Sequence, residues 1–502
     1  MTGGARSFDT RLDARSRAFL GRDPLPLLMG GREVPALGGE TRTLHYPATG
    51  EALAQVCEGG VADAEAAVRA ARRAFDTGPW PRLAPAARSL LLEKLATLMD
   101  RDARMLAELG TLETGKPIAE SSGDVARATD GVRFYAAAAR MCRGETIPLS
   151  EHLSIGTVRE PLGVIAAIVP WNVPLVLTVS KSAPALAAGN AVVVKPSEGT
   201  PLTAIALGLL ATEAGFPEGV FNVVTGTGAT VGHFLTHCDG VDGVTFTGGT
   251  ATGRIVASAA AATHKRVQAE LGGKSPNLVF ADANLDAAIR GAASAIFYGQ
   301  GEICSAGSRL LVEQSVFDRV VEGVVARARA LRVGDPLDPR TEMGALISRS
   351  HLQSVCGHVE RAVKDGARIA VGGGALTIPG FEAGAFMAPT VLVDVGVGSA
   401  AEQEEIFGPV LVALPFRDEA EALRIANGTR YGLGSGIWTA DTARARRMAR
   451  GMRAGVVWIN TFNLFDTSVP FGGVKASGGG SREWSHLALD SFVEVKTIWE
   501  QT

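Results

Sequence analysis

The spacing of apolar side chains predicts a helical region early in the chain. Residues 64–75 (AEAAVRAARRAF) and 88–109 (RSLLLEKLATLMDRDARMLAEL) carry apolar residues three and four positions apart, so residues 61–140 are expected to be helical. The first forty residues are polar and rich in Gly and Arg, and a loosely held leader is expected there.

From residue 162 the pattern changes to short strand-like segments. Residues 162–169 (LGVIAAIV) form a continuous apolar run, typical of a strand buried on both faces. Four further segments follow, each separated by a helical pattern: residues 191–197 (AVVVKPS), 220–226 (VFNVVTG), 243–249 (GVTFTGG) and 265–271 (KRVQAEL). This alternation indicates an α/β fold with a parallel, doubly wound sheet, which binds ligands at the carboxyl ends of its strands.

The helix predicted after residues 191–197 carries start and stop signals. Thr200 is expected to cap it and Pro201 to lie in its first turn, while Gly215 and Pro217 end it.

A second alternating series follows and predicts a second α/β domain, with a boundary near Gly272–Gly273. Its elements are a strand at residues 276–282, a helix at 286–299, and strands at 309–314, 388–395, 409–416 and 455–460. The chain has 502 residues, a length that favours two or three domains.

Composition narrows the classes of partner. The net charge of −3 gives no reason to expect a nucleic acid. The five cysteines are scattered, with no metal-ligand spacing, so no metal is expected and reduced thiols in the cytoplasm are the simplest interpretation. No signal peptide is expected. The most apolar run, residues 163–179, is broken by Pro170, Asn172 and Pro174, so no membrane span is expected.

Three residues are candidates for chemistry. Cys304 lies in GQGEICSAGSR (299–309), between a predicted helix and a predicted strand; alone, it is better explained as a small buried apolar residue. Glu270 ends a buried strand beside two glycines and is either a base with a raised pKa or a solvated charge. Asn172, between two prolines, either donates to an oxyanion or simply forms a turn.

Two glycine-rich segments follow strands and open helices, the context in which backbone N–H groups hold phosphate. They are residues 225–232 (TGTGATVG) and 246–254 (FTGGTATGR). In a chain with 61 glycines each motif alone is weak. Lys195 and Glu198 follow the second strand, where a carboxylate can bind an adenosine ribose; a solvated charge pair is the alternative.

Together these segments resemble the aldehyde dehydrogenase superfamily. The resemblance runs in order from about residue 30 to 500, through PWN (170–172), KPSEGTP (195–201), FTGGTATG (246–253), ELGGKSPN (270–277), QGEICSAGSR (300–309), EEIFGPV (404–410) and PFGGVKASG (470–478). It implies a dinucleotide-binding domain (1–140 and 161–271), a catalytic domain (272–485) and a small β oligomerisation element (141–160 and 486–502) that forms dimers or tetramers.

The resemblance also implies a reaction. Cys304 would attack an aldehyde, and Asn172 with the Cys304 N–H would hold the oxyanion. Oxidation would leave a thioester, which water activated by Glu270 would hydrolyse. Lys181 and Glu483 are similar to the family's proton-relay pair.

The implied cofactor is NAD. Its contacts would be Ile168, Trp171, Lys195, Ser197, Glu198, Gly228, Gly248, Gly249, Leu271, Glu405 and Phe407. NADP is expected less because Glu198 should repel a 2′-phosphate. The aldehyde pocket would be lined by Val173, Leu177, Ser180, Tyr298, Ile303, Ser305 and Phe465. Val173 and Ser180 are smaller than the aromatic residues often found there, which favours a bulky or aromatic aldehyde.

Three departures from the family pattern accompany the resemblance. Gly249 stands where many members have serine, and Val474 where an aromatic residue is common. One extra residue before Arg482 puts the role of Glu483 in question. Two alternatives stay open: a dehydrogenase that transfers the acyl group to CoA, against which Glu270 argues, and a non-catalytic protein on the same fold.

Overall fold

A computed structural model describes residues 6–501. Its strands are β1 (Leu27–Met29), β2 (Arg32–Val34), β3 (Thr41–His45), β4 (Ala52–Cys57), β5 (Leu153–Pro161), β6 (Val164–Ile168), β7 (Ala191–Lys195), β8 (Phe221–Val223), β9 (Gly243–Thr247), β10 (Arg266–Glu270), β11 (Pro276–Val279), β12 (Arg309–Glu313), β13 (Arg368–Val371), β14 (Thr390–Val393), β15 (Val410–Phe416), β16 (Gly434–Trp438), β17 (Val456–Ile459) and β18 (Val493–Gln501).

The helices complete the described chain. They are α1 (Ala14–Leu20), α2 (Val61–Asp76), α3 (Pro85–Arg101), α4 (Ala103–Thr114), α5 (Ile118–Ala138), α6 (Pro174–Ala188), α7 (Leu202–Ala214), α8 (His233–His237), α9 (Thr250–Ala261), α10 (Leu285–Phe297), α11 (Phe317–Ala330), α12 (Arg349–Lys364), α13 (Ala400–Gln403), α14 (Glu419–Asn427) and α15 (Thr442–Gly451).

The first sheet is the predicted doubly wound sheet. Its order is β10-β9-β6-β7-β8-β1-β2, and the five strands from β6 to β10 pair in parallel. Strands β6, β7 and β9 are buried along their whole length, which their continuous apolar runs require. The predicted α/β class is confirmed.

The second sheet has the order β13-β14-β15-β12-β11-β16-β17 and is parallel except for β13. The sequence pattern missed β16 (GSGIW), although the strand is fully buried between β11 and β17. The absence of a side chain at Gly436 is required there, because a Cβ would lie 2.5 Å from the Asn277 side-chain oxygen.

A separate two-stranded ribbon joins distant parts of the chain. Strand β5 pairs antiparallel with β18 over nine residues, from Leu153 opposite Gln501 to Pro161 opposite Val493. Most of β18 is exposed, including the apolar side chains of Val495, Ile498 and Trp499. A long apolar edge of this kind is a surface suited to pairing with another chain.

The expectation of a loosely held leader was wrong for the described residues. Helix α1 and strands β1 and β2 lie within the first forty residues, and β1 pairs with β8 in the first sheet. Phe8 and Leu25 are fully buried. Apolar residues here are few, but several of them pack into the core, while Leu37 is exposed. Residues 1–5 lie outside the described range. Within residues 6–501 no helix combines the length and the apolar character needed to cross a bilayer.

The expected start of α7 was also wrong. The helix begins at Leu202, after Pro201, and the buried Thr200 hydroxyl has no hydrogen-bond partner within residues 6–501. The Glu113 carboxyl of α4 instead accepts from the Leu202 N–H (2.7 Å), the Thr203 N–H (3.3 Å) and the Thr203 hydroxyl (2.6 Å). A cap from a distant residue leaves no local sequence signal.

Replacing Glu113 with Ala is expected to destabilise the start of α7, because two buried N–H groups lose their acceptor. The cost should be about 2 kcal/mol. Hydrogen exchange at the Leu202 and Thr203 amides measures it directly. Glu113→Gln keeps an acceptor and should lose much less protection, and Glu65→Ala, on the exposed face of α2, should change neither amide. Unchanged exchange in Glu113→Ala would contradict the assignment.

Candidate active site

The two sheets are connected by residues 271–275, which bring the ends of β10 and β11 together. A Cβ built on Gly272 would lie 2.0 Å from the Glu405 carboxylate, and one built on Gly273 would lie 2.3 Å from the Cys304 carbonyl oxygen. Gly273 therefore has to be glycine, because it faces backbone, whereas a side chain at Gly272 would have to displace the Glu405 carboxylate. The connection packs the cysteine loop directly against the end of the Glu270 strand.

Cys304 is half-buried in a turn that follows a short 3₁₀ helix, Tyr298–Gly301. Burial raises the pKa of its thiol to about 12, and the negative charges of Glu405, Glu270 and Glu483 add to the rise. In the protein without ligands the sulfur is therefore a thiol at neutral pH. The same charges indicate that all three carboxyl groups lie close to the cysteine.

Glu270 ends β10, as predicted, and is buried. Its Oε2 accepts from the Gly473 N–H at 3.1 Å, while Oε1 has no hydrogen-bond partner within residues 6–501. Burial raises the pKa of Glu270 well above its usual value, and the nearby Glu483 charge raises it further. An unpartnered oxygen on a carboxyl with a raised pKa is suited to accept a proton from water.

Lys181 and Glu483 form a fully buried ion pair, with Nζ 2.5 Å from Oε1. The Ser180 hydroxyl donates to the other Glu483 oxygen at 3.2 Å. Arg482 and Glu483 follow the turn at Gly479–Gly480, where Gly480 has a φ of +92° and a Cβ would meet no neighbour within 4 Å. With this longer stretch before it, Glu483 still lies beside Lys181.

Asn172 follows β6 and is buried, at 7% exposure. Its Nδ2 donates to the Glu302 carbonyl oxygen, two residues before Cys304, at 2.8 Å. The amide is therefore hydrogen-bonded to the cysteine loop itself.

Several residues expected at the adenosine end of a dinucleotide lie together. Lys195 Nζ is 3.2 Å from the Glu198 carboxylate, which also accepts from the Gly228 N–H at 2.5 Å. Burial opposes ionisation of Glu198, but the Lys195 charge and the hydrogen bonds leave its pKa lowered. Glu198, Ser197 and Trp171 line a cavity of about 400 Å³. The sequence did not single out Arg42, which lines the same cavity and forms an ion pair with Glu58.

The end of β9 offers a second group of backbone donors. Gly249 precedes the twelve-residue helix α9, whose N-terminus has no side-chain cap, and a Cβ there would meet nothing within 4 Å. Such an open helix start fits a phosphate. The Gly248 N–H donates to the Glu270 carbonyl at 3.1 Å, and Leu271 packs against Gly253 of α9. Ile168 ends β6 on the same edge of the sheet.

Glu405 and Phe407 lie on the other side of the connection. The Glu405 Oε1 accepts from the Gly273 N–H at 2.9 Å, and burial raises the pKa of Glu405 to about 7. Phe407 has a φ of +56° and packs edge-on against Trp171, with ring centroids 5.2 Å apart. The contact packs the loop before β15 against Trp171, which follows strand β6 of the first sheet.

The residues expected to form the aldehyde pocket have different surroundings. Val173, Leu177 and Phe465 are half-buried against the core of the first sheet, and Ile303 against that of the second. Ser305 donates to the Asn463 side chain at 3.0 Å. Tyr298 lines a surface cavity of about 840 Å³. Ser180 is fully buried, with its hydroxyl bonded to the Leu177 carbonyl and Glu483.

Four further residues near these groups were missed by sequence reasoning. The Arg127 guanidinium lies 5.2 Å from the centre of the Phe465 ring. Gly472, next to Phe471, lies against Glu270, since a Cβ there would be 2.6 Å from Glu270 Oε1. Glu302 and His351 border the loop before Cys304. Glu302 lies within a segment that the sequence singled out, but His351 carried no signal. Within residues 6–501, no cluster of three or more His, Cys, Asp or Glu side chains suits a metal ion.

A half-buried cysteine facing the carboxyl edge of a doubly wound sheet is typical of a dehydrogenase that uses a dinucleotide. Comparison with known proteins agrees with this class. The sequence profile described as the aldehyde dehydrogenase family matches residues 36–498.

The NADP/NAD-dependent aldehyde dehydrogenase PuuC of Escherichia coli is 45% identical over 478 residues, covering 94% of this chain and 95% of that protein. Betaine aldehyde dehydrogenase of Bacillus subtilis is 42% identical over 478 residues, covering 95% and 97%. An NAD⁺ complex of aldehyde dehydrogenase from Bacillus cereus superposes with a TM-score of 0.95 at 40% identity, covering 98% and 99%. The chain belongs to the aldehyde dehydrogenase family.

The raised pKa of Cys304 predicts the pH dependence of its alkylation in the protein without ligands. The iodoacetamide reaction should accelerate about tenfold per pH unit from pH 7 to 10, because only the thiolate reacts. Peptide mass spectrometry of residues 300–309 measures the rate, and Cys304→Ala gives the background of the other four cysteines. A plateau below pH 8 would show that the thiol ionises far more readily than this environment allows.

Proposed function

We propose that the protein oxidises an aldehyde to a carboxylic acid with NAD, through a covalent intermediate on Cys304. The observation that carries the proposal is the packing of the cysteine loop against the end of the Glu270 strand, with Gly273 against the Cys304 carbonyl. It puts a nucleophile and a base at one junction, beside the open start of α9.

In the first step the Cys304 sulfur bonds to the aldehyde carbon, and the carbonyl oxygen becomes an oxyanion. The thiol proton leaves to a base or to that oxygen as the bond forms, because the sulfur is protonated beforehand. The Asn172 amide and the Cys304 N–H stabilise the oxyanion of the thiohemiacetal. A bound NAD would supply the acceptor for the hydride of the substrate carbon, and the oxidised carbon would remain on Cys304 as a thioester.

The second step releases the acid. Glu270, in its ionised form, takes a proton from water through its free oxygen, and the hydroxide attacks the thioester carbon. The carbon–sulfur bond breaks, Cys304 regains a proton, and the carboxylic acid departs. The buried Lys181–Glu483 pair, whose charge is felt at Glu270, is assigned to moving the proton away from the site.

The residues around the first sheet fit a dinucleotide. Glu198, held by Lys195 and the Gly228 N–H, is assigned to the adenosine ribose. Gly248 and Gly249, with the uncapped α9 N-terminus, are assigned to the pyrophosphate. Ile168, Ser197 and Leu271 complete this side of the site. Glu405 is assigned to the nicotinamide ribose, with Phe407 and Trp171 packed beside it. An anchored Glu198 carboxylate repels a 2′-phosphate, so NAD is favoured over NADP.

The substrate is proposed to be bulky or aromatic. Val173, Leu177, Tyr298, Ile303, Ser305 and Phe465 are assigned to the aldehyde pocket, with Ser180 behind them. Phe465 contributes an aromatic wall, which packs edge-on against Trp484 at a centroid distance of 5.2 Å.

The assembly is proposed to be a dimer or tetramer formed through the β5–β18 ribbon, whose exposed apolar edge supports this role. The ribbon and its flanks, 141–160 and 486–502, are the proposed oligomerisation element. The proposed dinucleotide-binding domain is 1–140 with 161–271, and the proposed catalytic domain is 272–485. A reducing cytoplasmic location suits five free cysteines.

The wild-type protein is expected to form NADH when an aldehyde panel, from acetaldehyde to benzaldehyde and naphthaldehyde, is added with NAD. Absorbance at the NADH band measures the rate. The kcat/KM should be higher for ring aldehydes than for acetaldehyde, and higher with NAD than with NADP. Cys304→Ala should lower it by at least about 1,000-fold, because no thioester can form.

Cys356→Ala is the matched control, because that half-buried cysteine lies far along the chain on α12. No aldehyde-dependent NADH from the whole panel would favour the non-catalytic alternative. Acyl-CoA in place of acid, when CoA is added, would favour the CoA-acylating alternative. A strong preference for acetaldehyde, or an equal kcat/KM with NADP, would contradict the pocket or the Glu198 assignment.

A further inference from the structure

We propose that Glu302 is a positioning residue for the reaction: it fixes the loop before Cys304 and, through that loop, the orientation of the Asn172 amide. The inference rests on the proposed function, because Asn172 must donate to the substrate oxygen for its orientation to matter. Glu302 itself is not assigned any contact with substrate.

The loop before Cys304 has a backbone that needs support. Gly299, Gln300 and Gly301 have φ values of +58°, +56° and +71°, so three consecutive residues are left-handed. Gln300 is not glycine, and the left-handed conformation is unfavourable for such a residue. A loop of this kind keeps one conformation only when its surroundings hold it.

Three contacts hold this loop. The Gly299 N–H donates to the Glu120 carboxyl at 3.0 Å, and the Gln300 side-chain amide donates to a backbone carbonyl of the adjacent segment, that of Ala345, at 3.2 Å. The buried Glu302 carboxyl then accepts from the Ile347 N–H at 3.0 Å. Glu302 is the last of these anchors before the cysteine, so it fixes the backbone position from which residues 303 and 304 continue.

The backbone carbonyl of Glu302 accepts a hydrogen bond from the Asn172 side chain. The Asn172 Nδ2 has two hydrogens, and one of them is donated to this carbonyl at 2.8 Å. The contact fixes which end of the amide points along the loop, and it leaves the second hydrogen for the substrate oxygen. Asn172 is buried, so a shift of the loop would leave this hydrogen without its acceptor.

The side chain of Glu302 is also braced from α12. His351 Nε2 lies 3.6 Å from Glu302 Oε1 and bonds to the Phe407 carbonyl oxygen at 2.7 Å. Burial raises the pKa of Glu302 and lowers the pKa of His351, and both shifts favour neutral side chains. The support is therefore one of hydrogen bonding and shape, which a neutral amide of the same length preserves.

A double-mutant cycle tests the inference on the full-length enzyme. Glu302→Met keeps the length of the side chain but removes the acceptor for the Ile347 N–H, and it is compared in the wild-type and Asn172→Ala backgrounds. Glu302→Met should lower kcat/KM for the preferred aldehyde about 10- to 100-fold in the wild-type background. In the Asn172→Ala background it should change kcat/KM less than about twofold, since the group it positions is gone.

Glu302→Gln is the conservative variant and should restore kcat/KM to within about fivefold of the wild-type value, because it keeps an oxygen acceptor. Glu302→Asp, shorter by one methylene, goes through the same cycle, so that the test survives if the Met variant does not fold. An equal loss in both backgrounds, or a Gln variant as impaired as the Met variant, would overturn the inference. If Asn172→Ala alone has no effect, it is the proposed oxyanion role that fails.

Discussion

The close approach of Gly273 to the Cys304 backbone is the contact on which the rest of the site depends. A Cβ at this glycine would lie 2.3 Å from the Cys304 carbonyl oxygen, so any side chain would push the cysteine loop away from the end of β10. A side chain at the neighbouring Gly272 would displace the Glu405 carboxylate. Two residues without side chains thus let two separate parallel sheets share one set of reactive groups.

Burial at this junction produces the electrostatics of the site. Glu270, Glu405 and the Cys304 thiol all have raised pKa values, with desolvation as the leading cause. Within residues 6–501, Glu483 is the only one of the three carboxylates acting on Cys304 that has a full ion pair, formed with Lys181. Neutral forms of the base and the nucleophile are therefore favoured before ligands bind, and a developing oxyanion has to be met by preorganised N–H donors rather than by bulk charge.

The sequence predicted the parallel strands well because buried strands need continuous apolar runs, and residues 162–169 and 191–197 show them. It failed for β16, where glycine and serine are required by packing rather than by a turn. It also missed the Glu113 cap of α7, since the cap comes from a residue about ninety positions away.

In the candidate site, too, residues with a local sequence signal were found and residues without one were missed. Glu270 and Asn172 could be found because they lie at or just after the ends of predicted strands, and Cys304 because glycines and serines surround it. The anchors of the cysteine loop, such as His351 and the Ile347 N–H, lie on a distant segment with no local signal. Contacts between distant segments are set by tertiary packing, which no local pattern records.

Intact-mass spectrometry of Glu270→Gln, acid-quenched after mixing with NAD and benzaldehyde, tests the central claim most directly. The chain should gain the mass of one benzoyl group, in step with the NADH formed, and peptide mapping should find it on Cys304. NADH formed with no acyl group on the quenched chain, or with the group on another residue, would contradict a thioester at this sulfur.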